Sequence, residues 1–306
     1  MPLTEDKLLE SPELNNFIQQ HRLPGSYRAF IKTYLLPFLI WLEQKKQHGA
    51  TLVLGVNGAQ GTGKSTVSEA IALLCNKQFG WSSAILSIDD IYLTRSERIK
   101  LSEQQHPLLL TRGVPGTHDT ALGIDTIERL KSAAVNSEIK LPRFNKAIDD
   151  RLDQDQWTTS SGPVDLILFE GWCVGSTPQD GAELAEPANE LEAVEDGDGG
   201  WRQYVNNQLS GQYQSLFSHI DLLLLLKAPD FEVVHGWRAE QEAKLAEITD
   251  GEHLMNEVQI SHFIQHYERL TRHNLEQLPA IADVVFELDR NHEITGAIYK
   301  NRHSEA

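Results

Sequence analysis

Gly58-Ala59-Gln60-Gly61-Thr62-Gly63-Lys64-Ser65, followed by Thr66, satisfies the pattern G-x-x-x-x-G-K-[ST]. The chemistry of such a run is anion capture. Its glycines let successive backbone N–H groups turn inward around phosphates, and a helix opening at Gly63 adds partial positive charge facing the same anion. Lys64 is placed to reach β- and γ-phosphates, and the Ser65 hydroxyl to coordinate Mg2+. A plain glycine turn capping a helix would not require Lys followed by Ser in this register. The run therefore implies a bound nucleoside triphosphate. Guanine is disfavoured, because Asn145-Lys146-Ala147-Ile148 comes closest to N-K-x-D and the Ile148 side chain cannot accept the N–H groups of that base. ATP is the expected nucleotide.

Acids lie where a partner for the triphosphate would be needed. Ser87-Ile88-Asp89-Asp90-Ile91-Tyr92 closes one apolar run and Asp165-Leu166-Ile167-Leu168-Phe169-Glu170-Gly171-Trp172 closes another. Either aspartate could accept the proton of an attacking hydroxyl, the other orienting metal or substrate, or the pair could simply cap the next helix. Glu170 is read as the acid that holds the Mg2+ shell. Between them, Arg112-Gly113-Val114-Pro115-Gly116-Thr117-His118-Asp119 gathers a guanidinium, an imidazole and a carboxylate in one turn-rich loop. Arg112 could clamp a carboxylate and His118 orient hydroxyls, while Asp119 reads better as a helix cap. His262 and His266 stand four apart, but no acid completes a zinc-protease pattern, so they are read as solvated or core residues.

These residues need a scaffold. Aliphatic runs at 51–56, 84–88, 164–169, 220–226 and 281–286 alternate with segments of helical spacing, which predicts an α/β fold around a mostly parallel central sheet flanked by helices. Val67, Ala70, Ile71 and Leu74 share one face of a helix after the glycine-rich loop, and apolar spacing predicts another helix over 29–47. We expect a single domain over 1–306 with a helical extension at 1–49. Residues 177–200 carry Glu183, Glu190, Glu192, Glu195, Asp196 and Asp198 with few large apolar groups, and read as a solvated acidic insertion. The tail from Asp289 reads as polar and peripheral.

The bulk numbers agree with a small-molecule enzyme. A formal charge of −17 over 306 residues opposes a general nucleic-acid role. The apolar run at 220–226 is far too short to span a bilayer, so no membrane association is expected. Cys75 and Cys173 stand in no metal-ligand or disulfide spacing, and a reducing cytoplasm is expected.

The glycine-rich loop, Ser87–Thr94, Arg112–Asp119, Pro142-Arg143-Phe144 and Phe169-Glu170-Gly171-Trp172 together resemble D-glycerate 3-kinase of the plant and fungal type. Pieces also resemble the wider P-loop kinase group of uridine kinase, phosphoribulokinase and pantothenate kinase. The likeness spans roughly 52–279 and implies a P-loop NTPase fold with a helical lid, ATP and Mg2+ as cofactors, and glycerate as acceptor. It implies Asp89 as base, with Asp90, Tyr92, Arg112, His118 and Arg143 toward the substrate. Arg238, in Trp237-Arg238-Ala239-Glu240-Gln241-Glu242, falls in the lid region; an ion pair to Glu242 on a helix surface is the competing reading. Ile91 stands where the family more often has Phe, and Phe144 and Asn145 where it has tyrosine and aspartate. Other small alcohols, such as uridine, pantothenate or a sugar phosphate, are alternative acceptors, and a nucleotide-driven switch ATPase is the alternative of another class.

Overall fold

Leu52–Gly58 has all seven residues buried, as a parallel strand covered by helices on both faces must. In the computed structural model, which describes residues 4–246 and 257–300, it is β1. The strands that follow are β2 (Ser83–Ser87), β3 (Glu138–Leu141), β4 (Phe144–Asn145), β5 (Asp150–Arg151), β6 (Thr158–Ser161), β7 (Leu166–Gly171), β8 (Leu222–Lys227), β9 (Val284–Leu288) and β10 (Ile294–Tyr299). Six of them form one sheet in the order β10-β9-β8-β1-β7-β2, parallel except for β10. The five predicted runs are its five parallel strands, and the architecture is the P-loop NTPase type.

Register explains why distant motifs meet. Val56 of β1 and Ser87 of β2 both sit opposite Glu170 of β7. The glycine-rich loop begins two residues beyond that row on β1, and Asp89 lies two residues beyond it on β2. All three chemistries therefore emerge at one carboxyl edge of the sheet, where open α/β folds bind ligands.

Helices cover both faces. Val67, Ala70, Ile71 and Leu74 of helix Lys64–Phe79 are buried against β1 and β7. The extension forms helices Glu5–Leu9, Pro12–Gln20, Tyr27–Phe30 and Leu36–Lys45. Pro37 has no N–H to give the preceding turn, and the chain runs through with a π turn at Ile31–Leu35.

Two expectations are corrected. The tail is not peripheral throughout: β10 pairs antiparallel with β9, its apolar run disguised by Thr295 and Gly296, where the register shifts. The acidic insertion is also not simply solvated. Short helical segments form at Gly181–Leu184 and Glu190–Glu195, and Glu192 and Asp196 are fully buried. Glu192 accepts from Arg269 at 2.6 Å, and Asp196 accepts from Arg202 at 2.9 Å and caps the helix Gly200–Gln208 through the Trp201 N–H at 2.7 Å. Buried charges survive only when paired in this way. Both arginines lie outside the segment, so its own composition could not announce the pairing.

Candidate active site

The phosphate loop owes its shape to positions where a side chain cannot go. Gly63, at φ 80°, is the N-cap of the helix Lys64–Phe79, and Gly61 has φ 85°. A Cβ on Gly61 would meet Trp237 Cβ at 2.6 Å. Thr62 Oγ1 donates to Ala59 O at 2.8 Å, closing the turn, and His292 Nδ1 lies 3.0 Å from Gly61 O. Gly61→Ala therefore suffers both a left-handed backbone and a clash with the helix Phe231–Ala246. We expect triphosphate affinity to fall about tenfold or more. Calorimetric titration with a non-hydrolysable analogue checks this, and unchanged affinity would place the nucleotide elsewhere.

Beside the loop a cavity of about 490 Å³ opens between Thr62, Gly63 and Thr66 and the aromatic side chains of Tyr27, Phe30 and Tyr34, closed by Asn291 and His292. Aromatic walls with a few polar groups suit a flat heterocycle. The helical extension and the β9–β10 turn thus form part of the site's wall.

Ser65 Oγ donates to Glu170 Oε1 at 3.1 Å. Glu170 is only 4% exposed, and its other oxygen, Oε2, is buried with no hydrogen-bond partner among the described residues. Burial raises its pKa, Asp89 pushes the same way, and Lys64 opposes both. A hydroxyl beside a buried carboxylate with one unsatisfied oxygen is an oxygen donor set that fits a hard divalent cation.

Asp89 is held from two sides. Tyr92 Oη donates to Oδ1 at 2.7 Å and Lys146 Nζ to Oδ2 at 2.7 Å. Burial works against its charge, but attraction from Lys146 and Lys64 and the two hydrogen bonds outweigh it, holding the carboxyl well below the usual carboxylate range. It is ionised at neutral pH. Asp90 turns the other way: it accepts from Arg143 at 2.6 Å and from the Phe144 N–H at 3.1 Å, pinning β4, while burial raises its pKa.

The β4–β5 hairpin closes on Asp89 through Lys146. Arg112 is paired with Asp149 at the hairpin turn and lies over the Phe144 ring at 5.5 Å. Arg98, almost fully buried, bonds Asp149 O at 2.7 Å and pairs with its carboxylate. Asp119 caps the helix Thr120–Lys131 by accepting the Leu122 N–H, as its position predicts, and pairs with Arg151. His118 stacks on Tyr92 at 4.6 Å, and burial lowers its pKa to about 3. It is neutral at physiological pH and offers an acid no charge. The Tyr213 hydroxyl accepts from the Gly116 N–H and lies 2.6 Å from His118 Nδ1. Tyr267 Oη donates to Arg112 O at 3.1 Å and fixes the loop from below.

Arg238 lies in the helix Phe231–Ala246, directly after the Trp237 that packs on Gly61, with its guanidinium 5.4 Å over the Phe263 ring. The side chain of Glu242, its competing partner, lies outside the described residues. His262 contacts Glu195 at 2.7 Å, while His266 is buried against Trp201. The residue the motifs did not single out is Lys146. It lies 57 positions from Asp89, and only the hairpin brings them together.

No protein-family model matches the chain. It is 32% identical over 235 residues to the uncharacterized kinase mug58 of Schizosaccharomyces pombe, covering 74% of this chain and 81% of that protein. The chain belongs to this kinase family. It is also 31% identical over 267 residues to the chloroplastic D-glycerate 3-kinase of Arabidopsis thaliana, covering 82% of this chain and 56% of that protein. The chain therefore spans about half the length of that plant kinase. A solved structure, the D-glycerate 3-kinase from Cryptococcus neoformans, is similar at TM-score 0.71 and 28% identity, over 87% of this chain and 96% of that one. Among the described residues no helix is long and apolar enough to cross a membrane. The relatives are named as kinases, and the phosphate loop at the sheet edge agrees with that family.

Proposed function

We propose that this kinase transfers the γ-phosphoryl group of ATP to a hydroxyl of glycerate, the 3-hydroxyl by likeness to the plant and fungal enzymes. The observation that carries the reading is Asp89, an ionised carboxylate at the sheet edge beside the phosphate loop, under the attraction of Lys64. In this reading the loop amides of residues 58–66 and Lys64 hold the phosphates, and the neighbouring cavity holds the base. Ser65 and Glu170 hold Mg2+, which when bound offsets charge on the phosphate oxygens.

Asp89 orients the attacking hydroxyl and takes its proton. Its depressed pKa is no obstacle, because phosphoryl transfer through a loose transition state depends on positioning, and the proton leaves late. Arg238 closes over the phosphates and excludes water. Tyr92 positions Asp89, His118 supports Tyr92, and Asp90, Arg112 and Arg143 hold the acceptor wall through their ion pairs. The two cysteines are buried free thiols, which suits a reducing compartment such as the cytoplasm.

A switch ATPase has no need for an ionised carboxylate held by a lysine-bearing hairpin at that point. The test is ADP formation with glycerate, pantothenate, uridine and ribulose 5-phosphate, with product identification. Glycerate-dependent ADP release with phosphoglycerate as product supports the reading, and turnover of another acceptor but not glycerate overturns it.

A further inference from the structure

We propose that Lys146 is the residue that reads the acceptor's carboxylate, exchanging its contact with Asp89 for one with the bound hydroxy acid. This rests on the kinase reading above and deepens it.

Among the described residues the arginines of the acceptor side are occupied in holding it together, Arg98 with Asp149 and Arg151 with Asp119. Arg143 neutralises Asp90, which also anchors the Phe144 N–H. Arg112 pairs with Asp149 at the hairpin turn. Drawing Arg143 onto a ligand would leave the partly buried Asp90 carboxylate unpaired, and drawing Arg112 away would leave Asp149 to Arg98 alone, so either move loosens the hairpin. Lys146 differs on both counts. Its side chain is 61% exposed, and its carboxylate partner is Asp89 itself.

Asp89 has an oxygen for each neighbour, so an incoming hydroxyl must displace or share one contact. Tyr92 cannot retreat: it is 3% exposed, stacked on His118 at 4.6 Å and edge-on to Phe144 at 5.1 Å. Lys146 can, because its ammonium ends a flexible four-carbon stem. Once it swings away it needs another negative charge. A carboxylate one or two carbons from the reacting hydroxyl supplies that charge within reach. A neutral alcohol leaves the ammonium on Asp89, so the resting ion pair discriminates against the wrong acceptor. Asp90, beside Asp89 on the turn Ile88–Ile91, and Lys64, Glu170, Tyr92, His118, Cys173 and Tyr267 from elsewhere also act on or feel the charge of Asp89.

The experiment compares glycerate with its neutral amide, glyceramide, in wild type, Lys146→Met and Lys146→Arg, all checked for unchanged thermal unfolding. We expect Lys146→Met to lose about 10²-fold in kcat/KM for glycerate, mostly through KM, with glyceramide equal to or better than in wild type. Lys146→Arg should keep most of the preference for the acid. The acid-side limb of kcat/KM should also move to higher pH in Lys146→Met, since Asp89 loses a neighbouring cation. An unchanged glycerate-to-glyceramide ratio in Lys146→Met overturns the inference while leaving the kinase reading intact. Absence of glycerate turnover in wild type overturns the glycerate reading itself.

Discussion

Asp89→Asn lowers kcat by roughly 10²- to 10⁴-fold, the range for loss of a positioned general base, with ATP binding retained. The asparagine can still accept the Tyr92 hydroxyl, so the acceptor wall stands and the variant reports on the proton rather than on folding. Single-turnover kinetics should locate the loss in the chemical step, and calorimetry should show near-native ATP affinity. Turnover within tenfold of wild type would remove Asp89 as the base. The pH profile carries a sign. Because Lys146, Lys64 and two hydrogen bonds hold Asp89 below the ordinary carboxylate range despite burial, wild type should show no acid-side loss from this group between pH 5 and 8.

Lys64→Ala should damage binding and chemistry together. Its ammonium favours the charged forms of both Asp89 and Glu170, and it is placed to stabilise the phosphoryl oxygens as charge develops. We expect kcat/KM for ATP to fall at least 10²- to 10³-fold, the range for loss of one preorganised donor. A second effect follows from Glu170. Burial already raises its pKa, and without Lys64 nothing of comparable strength opposes that shift, so residual activity should decline further as pH is lowered. A Lys64→Ala protein with native ATP affinity would contradict the placement of the phosphates.

Much of this was visible before any coordinates. The glycine-rich loop is a local device, since its backbone angles, its lysine and its helix are set by eight consecutive residues. Five runs of aliphatic residues sufficed for the parallel strands, because strands buried on both faces have little freedom in composition. The capping role of Asp119 was equally legible, a carboxylate one residue before a helical apolar pattern. What escaped were pairings between distant segments. The pairing of Arg143 with Asp90 and the burial that keeps His118 neutral are both set by residues far away in the sequence. Glu192 and Asp196 look solvated because Arg269 and Arg202 lie outside their segment. Lys146 stands in a polar turn like any surface lysine, and only the fold of the hairpin puts it on Asp89.

The β4–β5 hairpin shares no hydrogen-bonded edge with the six-stranded sheet. It is fastened instead by side chains, through Asp90 at one end and through Asp150, which accepts the Arg95 N–H, at the other. On the proposed reading, the part that meets the acceptor is thus an appliqué on the part that handles the triphosphate. On the reading proposed above, exchanging residues 144–151 should change the acceptor while leaving the phosphate loop and Glu170 in place. For the enzyme engineer the same seam marks where to graft.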